Sequence, residues 1–282
     1  MAKKAQGTKP ERKRVSLADR ERIQRLTLMN NDFMNVCLDG DIPCAQEMLE
    51  VILNRKDLTV KTVKAQYYLQ GVRRSVRLDI LAVDEQNARY NIEIENVSER
   101  ASPRRVRFQG ASIDVHSLEA GQDFEDLPER YVIFITPEDA LGHGKLIYVI
   151  HKYIDGMLIP FDDGSHIIYI NASTEDDGSE LWKLVHDLRC ANPDEMYFPR
   201  LAARARFFKQ TEEGLQNMSN VFDEIRQEAA AEAEARAEAR AKQEKENFVL
   251  GLLKLGKLTL EEIAECSGLS MARVRKLAQT LM

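Results

Sequence analysis

RLDILAVDEQNARYNIEIEN, residues 77–96, decides how this chain is read. Two apolar runs, 76–83 and 90–97, are rich in Val, Ile and Leu and flank the polar turn DEQNAR, so the segment predicts a β-hairpin. Side chains alternate along a strand. Leu78, Ile80 and Ala82 then share one face, and Arg77, Asp79 and Leu81 the other. On the second run Ile92 and Ile94 share a face opposite to Asn91, Glu93 and Glu95. With the turn centred near Gln86–Asn87, Asp79 lies across from Glu93 or Glu95. Either pairing puts three carboxylates on one face of strands that ought to be buried.

Outward from the hairpin the chain alternates helix and strand. The segment 30–54, NNDFMNVCLDGDIPCAQEMLEVILN, reads as a loop and then a helix with Ala45, Met48, Leu49 and Ile52 as its apolar stripe. DLTVKTVKAQYYLQG, 57–71, predicts a strand entering the sheet. Pro103 opens a helix running to about Leu118. RYVIFIT (130–136), KLIYVIHKYI (145–154) and SHIIYINA (165–172) predict strands, the first buried on both faces, and SELWKLVHDLRC (179–190) a helix. The order points to an α/β core with a mixed sheet flanked by helices, over residues 26–206. Residues 207–247, dominated by Ala, Glu and Arg with charge pairs three or four apart, predict a solvated helical spacer. Residues 248–282 form a compact apolar tail.

Composition narrows the classes. The 282 residues carry a net charge of -6 and an ordinary apolar fraction, enough for a sizeable core plus something smaller. No apolar run reaches the length of a membrane span. The start, MAKKAQGTKPERKR, lacks the apolar core of a signal peptide. Residues 1–25 are expected to be a disordered, basic terminus, with nine Lys or Arg between 3 and 25 against three acids. The four cysteines are scattered without a CxxC pair, which suits reduced thiols in the cytoplasm. The five histidines show no metal-ligand spacing, and no GxSxG, P-loop or GxGxxG motif occurs.

The acids on the hairpin carry the chemistry. Clustered carboxylates repel one another, and near a core they are costly to bury. A divalent cation offsets that cost, and one or two carboxylates plus water make an ordinary Mg²⁺ site. An amphipathic hairpin with its acidic face in water fits the same pattern. The following segment, SPRRVRFQG, places Arg104, Arg105 and Arg107 within four residues, a pattern suited to phosphate or to a solvated helical face.

The segment Arg77-Leu78-Asp79 … Tyr90-Asn91-Ile92-Glu93-Ile94-Glu95 resembles the bipartite motif of the PD-(D/E)XK nuclease superfamily, in particular its recombination-promoting nuclease/putative transposase branch. Upstream, Asn31-Asp32-Phe33 … Glu50-Val51-Ile52-Leu53 is similar to that family's leading helix. Downstream, Arg104, Arg107, Phe108 and Ile113-Asp114 are similar to its arginine-rich helix. Ile133-Phe134-Ile135-Thr136 and His143-Gly144 also fit, so the likeness spans about residues 30–155. The resemblance implies a restriction-endonuclease-like core and a Mg²⁺- or Mn²⁺-dependent DNA endonuclease related to mobile elements, a possible homodimer. It also implies Asp79, Glu93 and the backbone carbonyl of Ile94 as metal ligands, with Asp79, Glu93 and Glu95 as catalytic positions. Arg77, Arg104, Arg105 and Arg107 would face DNA. Two residues depart from the pattern: Leu78 replaces its Pro, and Glu95 stands where the superfamily usually has Lys. Glu95 then binds a second metal, or a cation arrives from Arg77, Arg104 or Arg107, or the site is a catalytically inactive binding site.

The tail, LTLEEIAECSGLSMARVRKLAQ, predicts helix, turn, helix. Thr259 with Glu262 forms a capping box, Gly268 ends the first helix and Ser270 caps the second. The pattern fits a helix-turn-helix, which would set Arg273 and Arg275 against DNA, and equally a helical pair for self-association.

Overall fold

A computed structural model of the chain describes residues 15–71, 73–97 and 100–281. These fall into two compact units, one ending at Ser219 and one beginning at Asn220.

In the first unit the helices α1 (Leu17–Arg25), α2 (Asn31–Leu38) and α3 (Ile42–Leu53) precede the strands β1 (Val60–Leu69), β2 (Val76–Asp84) and β3 (Arg89–Ile94). Helix α4 (Pro103–Val115) and strand β4 (Arg130–Thr136) follow. Next come β5 (Ile147–Ile150), a short hairpin of β6 (Tyr153–Ile154) and β7 (Ile159–Pro160), and β8 (Ser165–Asn171). Helices α5 (Glu180–Arg189) and α6 (Pro199–Gln210) lead into α7 (Glu212–Leu255). Among the described residues one mixed six-stranded sheet forms, in the order β1-β2-β3-β4-β8-β5. β2 and β3 make the expected antiparallel hairpin, pairing Ile80 with Ile92 and Leu81 with Asn91. β3 and β4, and β4 and β8, run parallel. The predicted α/β class and mixed sheet therefore stand.

Both faces of the central strands are buried, as parallel strands in an α/β protein require. Ile80, Ile92 and Ile133 lie on one face, and Leu81, Val132 and Phe134 on the other, all buried. α4 covers the second face, its Val106 and Ile113 packing with Leu81, Val132, Phe134 and Tyr169. Gly110 lies where the Arg130 side chain passes, so a larger residue there would displace that guanidinium. A Cβ on Gly110 would meet Nη1 of Arg130 at 2.2 Å, and that guanidinium is held by Asp114, with Nε donating at 2.7 Å.

Several sequence expectations are corrected. Residues 17–25 are helix α1, not disordered; residues 1–14 lie outside the described residues. Ser16 caps α1, accepting from the N–H of Asp19 at 3.0 Å, and Ile23 is fully buried. α1 is fixed by a partner remote in sequence. Gln24 Nε2 donates to the Lys209 carbonyl at 2.7 Å, and the buried Lys209 ammonium donates to the carbonyls of Gln24, Leu26 and Ala191. Residues 31–38, expected as loop, are α2; its polar letters conceal a buried stripe of Phe33, Met34, Cys37 and Leu38. The strand expected over 145–154 is interrupted between β5 and β6. α6 was not anticipated, although Leu201, Ala202, Ala205 and Phe208 form an apolar stripe behind Pro199. The helix expected over 207–247 runs from Glu212 to Leu255, so it begins five residues later and continues into the apolar tail.

In the second unit residues 226–245 of α7 are exposed throughout, with Glu and Arg paired four apart at Glu232–Arg236 and Arg240–Glu244. α8 (Leu260–Ser267) and α9 (Met271–Gln279) complete it. Thr259 and Glu262 form the predicted capping box, and Gly268 takes the left-handed conformation at φ 65°. Val249 of α7 packs with Ile263, Val274 and Leu277, so the end of α7 supplies a third helix. No described helix is long and apolar enough to cross a membrane.

Candidate functional site

The ladder between β2 and β3 holds as far as Ile80 and Ile92. One residue further, side chains replace backbone as its partners. The N–H of Asp79 donates to Oε1 of Glu93 at 3.2 Å, and the N–H of Ile94 donates to Oδ2 of Asp79 at 3.2 Å. Both carboxylates are thus drawn in where the strands separate, at the C-terminal end of β3. A residue in a strand presents its N–H and C=O along the same edge. The carbonyl of Ile94 accordingly lies on the edge that faces Asp79.

Burial is close to complete. Glu93 is 0 % exposed, Glu95 6 % and Asp79 8 %. Burial pushes the carboxyl of Glu93 up to about 7, the charge of Asp79 adds to the rise, and the Asp79 N–H opposes it. Burial also raises Asp79, against hydrogen bonds from Asn31 and from the Ile94 N–H. Glu95 is raised by burial and lowered by the guanidinium of Arg105. Asn31, at the start of α2, donates from Nδ2 to Oδ1 of Asp79 at 3.1 Å.

Arg105 meets the acids from α4. Its Nη1 pairs with Oε1 of Glu95, its Nη2 lies 3.4 Å from Oε2 of Glu93, and its Cζ sits 5.7 Å from the Phe134 ring centre. The sequence pointed to Arg77, Arg104 or Arg107 as the cation that compensates for Glu95. Those three are exposed, and Arg105 takes that position instead. Helix phase is the reason. The first turn starts at Pro103 behind the cap Ser102, which puts Arg105 on the stripe with the buried Gln109, four residues on.

Gln109 is buried at 3 % exposure. While the amide groups of Gln109 and Asn91 support the Glu93 carboxylate, the Oε1 of Gln109 and the Oδ1 atoms of Asn91 and Asn31 are buried without a hydrogen-bond partner. Buried polar atoms are seldom left so. Residues 91, 93 and 95 share a face of the strand, so the orphaned oxygen of Asn91 lies on the side of the carboxylates. An oxygen-rich, negatively charged pocket with unfilled acceptors fits a hard divalent cation and its water. Among the described residues no group of three or more His, Cys, Asp and Glu side chains is gathered as a metal-binding set. Glu95 is committed to Arg105, which leaves Asp79 and Glu93, with the Ile94 carbonyl, as the donors for one ion.

Two arginines outside the predicted set, Arg73 and Arg74, lie in the β1–β2 connection, one of them beside α4. Both are exposed, and the Arg74 guanidinium lies 5.9 Å from the ring centre of Phe108. Phe108 is 43 % exposed. The signal for the extra arginines was present in GVRRSVR, residues 71–77. Nothing local in the sequence brought Asn31 or Gln109 to the acids, because only the packing of α2 and α4 does so, whereas Asn91 shares their strand face by alternation.

In the second unit Arg273 is occupied. Its Nε and Nη2 donate to Oε1 of Glu246 at 2.8 and 2.6 Å, while Arg275 is exposed. Arg273 therefore ties α9 to α7 and does not stand open beside Arg275. The four cysteines are free thiols. Compared with family models, with curated proteins and with solved structures, the chain matches none.

Proposed function

We propose that the protein is a divalent-metal-dependent DNA endonuclease with a restriction-endonuclease-like core, of the PD-(D/E)XK type and similar to its recombination-promoting nuclease/transposase branch. The observation that carries this reading is the buried pair Asp79 and Glu93, which accept each other's backbone neighbourhood while oxygen atoms around them lack partners. Two like charges in a buried place are unfavourable unless a cation joins them. Asp79, Glu93 and the Ile94 carbonyl would hold Mg²⁺ or Mn²⁺. Bound there, the ion would lower the pKa of a coordinated water and stabilise charge on a phosphoryl group. In the reaction water adds to phosphorus, one P–O ester bond breaks, and the proton of water ends on the departing sugar oxygen. Arg74, Arg77, Arg104 and Arg107, all exposed, would take the flanking backbone phosphates. Arg275 would add a contact from the tail. A cytoplasmic location and a two-copy assembly suited to cutting two strands belong to the same proposal.

The test is nicking of supercoiled plasmid by wild type, Asp79→Ala and Glu93→Ala with Mg²⁺ or Mn²⁺, and with chelator. Cutting by wild type alone is expected; no cutting under either ion overturns the reading. The ion pair between Arg105 and Glu95 favours a second reading, a nuclease-fold protein that holds DNA or a protein without cleaving. That reading expects salt-sensitive retention of DNA by all three proteins and no nicks.

A further inference from the structure

We propose that Arg105 is the side chain through which this site grips the reacting phosphate, with Glu95 as its positioning residue, and that the same guanidinium closes the site against Glu93 when no divalent cation is bound. This inference rests on the reading just given and deepens it. Arg105 reaches Glu93 and Glu95 together, whereas Arg77 and Arg100 act on Asp79 and Glu95 only through their charge, and Arg104 and Arg107 lie exposed.

The two contacts are unequal. Nη1 is paired with Glu95, whereas Nη2 lies 3.4 Å from Glu93, long for an ion pair, and Glu93 is also the acid that a cation would claim. Glu95 thus anchors the guanidinium and Glu93 is the contact that yields. Its side chain is 37 % exposed, so one edge of the planar fork is open to solvent while its face rests near Phe134. A guanidinium matches phosphate oxygens in a bidentate way and keeps its charge at any working pH. Charge decides the order of events. With Asp79 and Glu93 both ionised, Arg105 is their nearby counter-charge. Once a dication neutralises that pair, the attraction of Glu93 for Arg105 falls and repulsion from the ion appears. Arg105 then keeps Glu95 and turns its released arm to the substrate phosphate. Glu95, unable to supply positive charge itself, supplies it by holding Arg105.

The test compares full-length wild type, Arg105→Ala, Arg105→Lys and Glu95→Gln by calorimetric Mn²⁺ titration and by plasmid nicking, with circular dichroism to confirm folding. Arg105→Ala is expected to bind Mn²⁺ about 10-fold more tightly, since a competing cation is gone. It is expected to nick about 100-fold or more slowly, since a charge-stabilising donor is gone. Arg105→Lys should recover part of the nicking, and Glu95→Gln should slow nicking with little change in Mn²⁺ affinity. Tighter metal binding with slower cutting is a combination that general structural damage does not give. Nicking by Arg105→Ala at the wild-type rate, or Mn²⁺ affinity that falls in parallel with nicking, overturns the proposal and leaves the nuclease reading standing. Wild type that neither binds Mn²⁺ nor nicks overturns both.

Discussion

Asp79 and Glu93 are joined through each other's strand: the Asp79 N–H donates to Glu93, and the Asp79 carboxylate accepts from the N–H of Ile94, next to Glu93. The acids consequently cannot move apart without breaking the end of the hairpin. They are buried, held close and destabilising to each other, which makes their energetics measurable without substrate.

Replacing Glu93 by Gln removes one buried charge while keeping the shape. In metal-free buffer at pH 8 the variant should be more stable than wild type, by on the order of 1–3 kcal/mol. Urea unfolding checks this. The same variant should lose Mn²⁺ binding, so a stabilised protein that fails to bind the ion is the expected signature.

Stability should also depend on pH in a fixed direction. Burial raises the folded-state carboxyl of Glu93 to about 7, above its unfolded value. The native state then binds more protons than the unfolded state between those two values, so stability falls as pH rises through that window. The stabilisation is complete below the unfolded value and gone above about 7. Urea midpoints measured without metal from pH 4.5 to 8 test the sign. Adding Mg²⁺ should reverse the trend, because the ion binds the deprotonated acids.

The exposed arginines should act through phosphate charge. Arg74→Ala, Arg104→Ala and Arg107→Ala should each weaken DNA binding for all sequences alike. Each should also reduce the slope of log affinity against log salt by about 1. Fluorescence anisotropy at several salt concentrations measures this. Arg273→Ala, whose side chain is engaged by Glu246, should leave the slope unchanged.

Lys209→Met should be severe. The Lys209 side chain is buried among the carbonyls of Gln24, Leu26 and Ala191, and Met leaves these without a donor. A loss of about 3 kcal/mol or more is expected in urea unfolding, with early protease cleavage at 15–30 as α1 detaches.

In the second unit, Ile263→Ala should open a cavity beside Val249, Val274 and Leu277, at about 2–5 kcal/mol. Hydrogen exchange on the full chain should show lost protection over 246–281 while β2 and β3 keep theirs.

The sequence by itself determined the hairpin, the strands of the mixed sheet other than the interrupted 145–154 run, and the capped helices of the tail. Each is written in local terms: alternation at 77–83 and 90–95, the run RYVIFIT, and the Thr259–Glu262 box. It also placed Asp79, Glu93 and Glu95 on one face, since a period of two leaves no freedom once the turn is set. Only the tertiary structure decided which arginine meets them, because Arg104, Arg105 and Arg107 look alike in sequence and differ by their angle around α4. It likewise decided that α1 is ordered and that Lys209 is its anchor, since those contacts join residues about 185 apart. The orphaned oxygens of Asn31 and Gln109 belong to the same class, whereas Asn91 shares a strand face with Glu93 and Glu95 by alternation. A side chain's neighbours on its own strand or helix are fixed by backbone periodicity, whereas its neighbours across elements depend on how those elements pack.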